Sequence, residues 1–230
     1  MRIEVSLTGM ENHRKRIYII RHGETDYNRK KLMQGRGIDA PLNETGRRQA
    51  EALARYMSGQ PIDLLVSSSM QRARQTAEFL ARNNGKDIIS HEDLDEMHFG
   101  HWEGRSYETF TDDIIEVGEQ WSAGRTDHPV PGGESPEEVL RRAGGRIETI
   151  LTDNNGVESF AFVVHGRLIR ILLASWTGIG LQNMEQIEHT NCGVNFLHRV
   201  GSEFEVVFMN RTDHLLELKA DSSKLKAESR

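Results

Sequence analysis

"RIYIIRHGETDYN" occupies residues 16–28. Residues 17–20 form an unbroken apolar run, which Arg21-His22-Gly23 ends in a polar stretch with no hydrophobic face. A short apolar run closed by charge and glycine reads as a buried strand. "SFAFVVHG" at residues 159–166 has the same form, an apolar run leading straight into His165-Gly166. In open α/β sheets, ligands bind beyond the carboxyl ends of the strands. If these two strands are neighbours, His22 and His165 face each other across such a crevice. A single strand-ending His-Gly pair reads most simply as a loop or core histidine. Two of them, with Arg21 alongside, point to a site.

Apolar runs alternate with helical patterns through the rest of the chain, the signature of an α/β sheet with helices on its faces. "PLNETGRRQAEALARYMSG" (residues 41–59) spaces Ala50, Leu53, Ala54 and Met57 as a helix, with Asn43 or Thr45 as its start and Gly59 as its stop. "IDLLVSS" (62–68) predicts a second strand. "SMQRARQTAEFLARNNG" (69–85) predicts a helix capped by Ser69 and ended by residues 83–85. A short strand is expected at 86–89. Residues 91–106 lack any period and read as a loop before a helix over 107–121, and "GRTDHPVPGGES" (124–135) reads as another loop. A helix over 136–151 follows, weakened by Gly144 and Gly145 by about 1 kcal/mol each. The strand ending at His165 precedes a helix in "RLIRILLASWTG" (167–178). Strands in "CGVNFLHRV" (192–200) and "EFEVVFMN" (203–210) form a hairpin through Gly201-Ser202. The pattern contains no repeat and no linker, so one domain spanning residues 1–230 is expected, with its core at about 16–215 between a polar N-terminal extension and a polar tail.

Composition narrows the function. The chain has 230 residues, with 37% hydrophobic and 28% charged, which suits a packed globular protein. A net charge of −6 repels nucleic acid backbones and anionic membranes, so neither is an expected partner. Any anion must meet a local positive pocket. Cys192 is the only cysteine, so no intrachain disulfide forms, and the absence of a signal-like leader makes the cytoplasm the expected location. His91, His98 and His101 lie among acids but do not match helical zinc spacings, and no nucleotide-binding glycine motif is present. No metal and no cofactor is expected. The stretches "NHRKR", "GRR" and "LRRAGGR" read as solvated helix faces or termini because acids interleave them.

"RHGETDYN", then "QGRGIDAPLNETGRRQA" (34–50), "SSSMQRARQTA" (67–77), "LDEMHFGHWEG" (94–104), "PGGES" (131–135), "VVHG" (163–166) and "NRTDHL" (210–215) occur in that order. In series they resemble the histidine phosphatase superfamily, the phosphoglycerate mutase-like proteins of branch 1. The resemblance implies a three-layer α/β/α sandwich around a mixed, mostly parallel sheet, and a reaction through a phosphohistidine. It makes His22 the nucleophile, Glu96 the acid and base, and His165 a catalytic partner. Arg21, Asn28, Arg72, Gly166, Gln34 and Gly35 become the phosphate-binding residues.

The chemistry of phosphoryl transfer asks for these residue types. Catalysis is mainly positioning and charge stabilisation around three equatorial oxygens. Arginine offers a planar fork that lysine lacks, and helix N-termini add aligned N–H groups. A histidine nucleophile must be neutral, with one nitrogen free and the other hydrogen-bonded, and neighbouring arginines disfavour its imidazolium form. One carboxylic acid can protonate the leaving alkoxide and then take a proton from attacking water. Family position selects Glu96, with Asp95 as the rival. A phosphate dianion beside such a carboxyl favours its protonated form.

"PLNETGRRQA", "GHWEG" and "PGGES" are similar to the phosphatase-type members, and the segment between Glu103 and Pro131 is short for the insertion by which mutases enclose their intermediate. A phosphatase acting on a small phosphorylated metabolite is the first expectation. A phosphoglycerate mutase and a non-catalytic phospho-ligand module are the alternatives. Tyr27 stands where many members carry tryptophan. Arg167 and Arg170 follow the second His-Gly, and Arg167 reads equally as a substrate contact or a helix-surface residue. The substrate and the oligomeric state, a homodimer included, stay open.

Overall fold

The computed structural model describes residues 14–216 and Leu218. The N-terminal extension and the polar tail expected from the sequence lie outside the described residues.

The apolar run of the opening stretch is the strand β1 (Lys15–Arg21), and "SFAFVV" is β4 (Ser159–Val164). They pair in parallel, with Arg21 opposite Val164. His22 and His165 therefore leave the sheet side by side. β2 (Leu64–Ser68) pairs in parallel with β4 and with β3 (Ile88–His91), while β5 (Val194–Val200) runs antiparallel to β1 and β6 (Glu203–Arg211) antiparallel to β5. Among the described residues the sheet has six strands, in the order β3-β2-β4-β1-β5-β6.

Because β1 and β4 are central, both of their faces are buried, and alternate residues feed two cores. Ile17, Ile19, Phe160, Phe162 and Val164 face one cluster, while Tyr18, Ile20, Ala161 and Val163 face the other. The second face packs on α2 (Glu44–Tyr56) and α3 (Gln71–Asn84) through Ala50, Leu53, Ala73, Ala77 and Leu80. The first packs on α7 (Gly166–Trp176) and on the helical stretch from α5 (Pro136–Val139) to α6 (Gly145–Asp153). The result is the expected three-layer mixed α/β sandwich.

Several local expectations need correction. A one-turn helix, α1 (Asp26–Arg29), stands in the polar run after Gly23, fixed by a capping box in which Thr25 and Asn28 exchange side-chain-to-backbone hydrogen bonds of 3.2 Å. Asn43 does cap α2, accepting from Gly46 N at 2.8 Å. Ser69 does not cap α3: the N-cap is Met70, without a side-chain bond, and Ser69 Oγ donates to the Asp95 carboxylate at 2.9 Å. The short edge strand starts at Ile88 rather than at 86, because Gly85 ends α3 at φ +61° and the chain must turn before it can pair. The helix expected over 107–121 breaks at Phe110 into a 3-10 turn and α4 (Thr111–Ser122). The helix expected over 136–151 is interrupted by a π-type turn at Leu140–Gly144. Arg142, on that turn, is no solvated residue but a half-buried clamp.

Candidate active site

His22 is 3% exposed at the carboxyl end of β1, and its Nδ1 lies 2.7 Å from Gly23 O. A carbonyl oxygen only accepts, so the proton sits on Nδ1 and Nε2 keeps its lone pair. Burial first, then the charges of Arg72 and Arg21, hold the imidazole well below its ordinary pKa and therefore neutral. Gly23 is required here by close approach: a Cβ would stand 2.5 Å from Gly46 O, at the start of α2.

His165 is fully buried beside it, with ring centroids 5.2 Å apart. Its Nε2 lies 2.7 Å from Ser68 Oγ. Ser68 spends its own proton on Asp95 Oδ1 at 2.7 Å, so His165 must donate at Nε2. Its Nδ1 is buried with no protein partner. Burial, then Arg72 and the neighbouring His22, keep His165 neutral as well.

A polar cavity of about 100 Å³ opens above His22, walled by Arg21, Asn28, Gln34, Glu96, Gly166 and others. Asn28 Oδ1 is occupied by Thr25 N and Asn191 Nδ2, which turns its own amide donors to the cavity. Gln34 Oε1 accepts from Thr25 Oγ1 at 2.7 Å, and its Nε2 is buried without a partner. Arg21 Nε is likewise unpartnered, and a Cβ on Gly166 would approach it to 3.2 Å. Arg72 is fully buried behind the cavity wall, donating to Ile38 O at 2.8 Å and Gly35 O at 3.3 Å, with Nε unpaired. Burial lowers its pKa to about 10, which still leaves it a cation. Gly35 thus serves as an anchor for Arg72; it is not on the cavity wall, and a side chain there would strike Glu103 at 2.1 Å.

Glu96 lines the cavity, and its two oxygens accept from Met97 N, Leu168 N and Arg167 N at 2.9–3.1 Å, across the start of α7. Asp95 points the other way, its carboxylate taken by Ser68 and Ser69. Arg142 braces the loop from behind, donating to Asp93 O, Asp95 O and Glu96 O while its fork grips Glu134 at 2.8 Å. Glu134 in turn accepts from His98 N. "PGGES" therefore acts as a strut beneath Glu96.

Sequence reasoning missed Tyr107 and His189, which both line the cavity. Burial raises the Tyr107 pKa, and burial, then Arg21 and Arg170, push His189 down to about 2. Among the described residues, no three His, Cys, Asp or Glu side chains converge as a metal cluster, and no helix is long and apolar enough to cross a membrane.

Paired strand-end histidines, backed by arginines at the edge of a mixed α/β sandwich, define the class of phosphoglycerate mutase-like histidine phosphatases. The chain belongs to the histidine phosphatase superfamily (branch 1), whose model matches residues 17–212. It is 31% identical over 204 residues to "Putative phosphoserine phosphatase 2" of Hydrogenobacter thermophilus, covering 89% of this chain and 99% of that one. It is 35% identical over 159 residues to "Phosphoglycerate mutase-like protein 4" of Arabidopsis thaliana, covering 68% of each. Mycobacterial glucosyl-3-phosphoglycerate phosphatase, solved with VO3, superposes with a TM-score of 0.77 at 28% identity, over 86% of this chain and all of that one. The chain is a phosphatase-type enzyme of this family, in which a histidine nucleophile is typical.

Proposed function

We propose that the chain hydrolyses a small phosphomonoester through a phosphohistidine on His22, with protein cations in place of a metal. The observation that carries this is the tautomer of His22: Nδ1 is tied to Gly23 O and Nε2 is left as a lone pair, next to a polar cavity walled by unpaired donors. In the first step Nε2 bonds to phosphorus as the ester P–O bond breaks, and Glu96 gives its proton to the departing alkoxide. Both Glu96 oxygens accept from backbone N–H groups, so the proton it hands on is one delivered by the substrate monoanion. In the second step Glu96 takes a proton from water. The water oxygen bonds to phosphorus, the P–N bond breaks, and orthophosphate leaves a neutral His22. Arg21, Arg72, Asn28 and Gln34 supply charge and donors to the equatorial oxygens throughout.

The test is release of orthophosphate in the presence of EDTA, together with acid-labile labelling of the protein. His22→Ala is expected to abolish both while keeping the wild-type circular dichroism. Near-wild-type turnover by that variant overturns the mechanism. Isomerised phosphoglycerate in place of orthophosphate selects the mutase reading.

A further inference from the structure

Beside the phosphate cavity lies a second, larger one of about 370 Å³, within the usual size range of small-molecule sites. The two share Met33, Phe99, Tyr107 and Arg167 as walls. The larger space is therefore the neighbour of any group esterified to a phosphoryl over His22. Its remaining walls are mainly apolar: Trp102, Ile114, Ile115 and Trp121. Ile115, on α4, is 53% exposed, and the open cavity accounts for so much uncovered apolar surface on a helix.

The charges on the wall decide what kind of group fits. They are Arg167, Glu119 and Glu185, one cation against two carboxylates. Arg167 is also committed, since Glu185 pairs with both Arg167 and Arg170, and the Arg167 guanidinium lies 5.3 Å from the Trp121 ring centroid. A second phosphate or carboxylate on the substrate would find no free cation there among the described residues. From this we infer that the cavity is the leaving-group subsite of the enzyme and takes an apolar alcohol, alkyl or aryl, without a second anionic group. The inference rests on the phosphatase reading only for the word "leaving"; the subsite itself can be tested by binding.

Gly118, in the middle of α4, lines this cavity, and a Cβ there would meet no atom within 4 Å. Gly118→Leu therefore projects its Cβ into open space at the cavity wall and suits a helix better than glycine. The probes are methyl-, butyl- and hexylphosphonate, which cannot be hydrolysed, with binding followed by calorimetry. In the wild type the dissociation constant is expected to fall by up to about fourfold per methylene, the transfer free energy of a buried CH₂. 6-Phosphonohexanoate should bind more weakly than hexylphosphonate. In Gly118→Leu the chain-length dependence should flatten.

Flat dependence in the wild type, or tighter binding of the carboxylated chain, overturns the subsite. Hydrolysis of the matching alkyl phosphates is measured in parallel. Chain-length-dependent binding without any phosphate release keeps the subsite and overturns the phosphatase reading. Release with flat dependence does the reverse.

Discussion

Ser68 Oγ stands 2.7 Å from His165 Nε2 and donates its own hydrogen bond to Asp95, so one hydroxyl sets the tautomer of a histidine it does not share a strand with. His165 can donate to a phosphate at Nδ1 only by taking up a second proton, and the Ser68-Asp95 pair is placed to stabilise the resulting imidazolium. Ser68→Ala and Asp95→Asn are each expected to lower kcat/KM by about tenfold to hundredfold, the weight of a charge-assisted hydrogen bond. Inhibition by orthophosphate should weaken in parallel while the circular dichroism stays unchanged. Phosphate inhibition equal to wild type would show that His165 acts without this support.

Arg142 holds three backbone carbonyls around Glu96 and grips Glu134 with a side chain only 14% exposed. Its removal leaves those carbonyls without this donor and leaves the Glu134 carboxylate only the His98 N–H. Arg142→Ala should cost about 2–4 kcal/mol in urea unfolding. Arg142→Lys should recover part of the stability but little of the activity, since one ammonium cannot span the same carbonyls. Full activity in the lysine variant would mean that the strut does not position Glu96.

These residues also show what was legible in the sequence. β1 and β4 could be read because burial on both faces leaves an unbroken apolar run, and their register follows once both runs end in His-Gly. Arg142 could not be read, because its partners are carbonyls 46 to 49 residues away, and a helix-periodic "LRRAGGR" looks the same whether solvated or buried. Ser69 was a plausible cap until Asp95, 26 residues on, competed for its hydroxyl. Tyr107 stands at the start of an expected helix and His189 in a segment without period, and only the closed fold brings both to the cavity beside His22. Gly35 was assigned to phosphate by motif; the carbonyl it offers to Arg72 is a backbone role that no side-chain pattern encodes.

Three histidines with depressed pKa values give the fold a definite pH dependence. His22 and His165 are held well below 6.5, and His189 at about 2, chiefly by burial, so all three are neutral in the folded chain where the unfolded chain would charge them. Below about pH 6.5 the unfolded state binds more protons, so stability is present above that value and falls as pH drops toward the folded pKa values. Each such group adds a slope of about 1.4 kcal/mol per pH unit well below 6.5. For His189 that window runs from 6.5 down to about 2. His189→Asn should reduce the acid slope of unfolding free energy, measured by urea melts between pH 4.5 and 6.5, by nearly that amount. An unchanged slope would mean that His189 is charged or solvated in the folded state.

Glu96 and Asp95 are adjacent carboxylates with opposite surroundings, which makes the acid assignment testable by leaving group. Glu96 faces the cavity over His22, whereas both Asp95 oxygens are occupied by serines. An alkoxide must be protonated as its bond to phosphorus breaks, whereas a nitrophenolate leaves largely unaided. Glu96→Gln should therefore lose about 10² to 10⁴ in phosphorylation rate on an alkyl phosphate, the usual weight of general acid catalysis, and much less on an aryl phosphate. On the aryl ester the phosphohistidine should accumulate, because the amide cannot take a proton from the attacking water, and a burst should precede a slow steady state. Asp95→Asn, acting through Ser68 and His165, should slow both esters by a similar factor and trap nothing. If the two variants exchanged these behaviours, the proton would belong to Asp95, and the carboxylate over His22 would be there to orient the substrate.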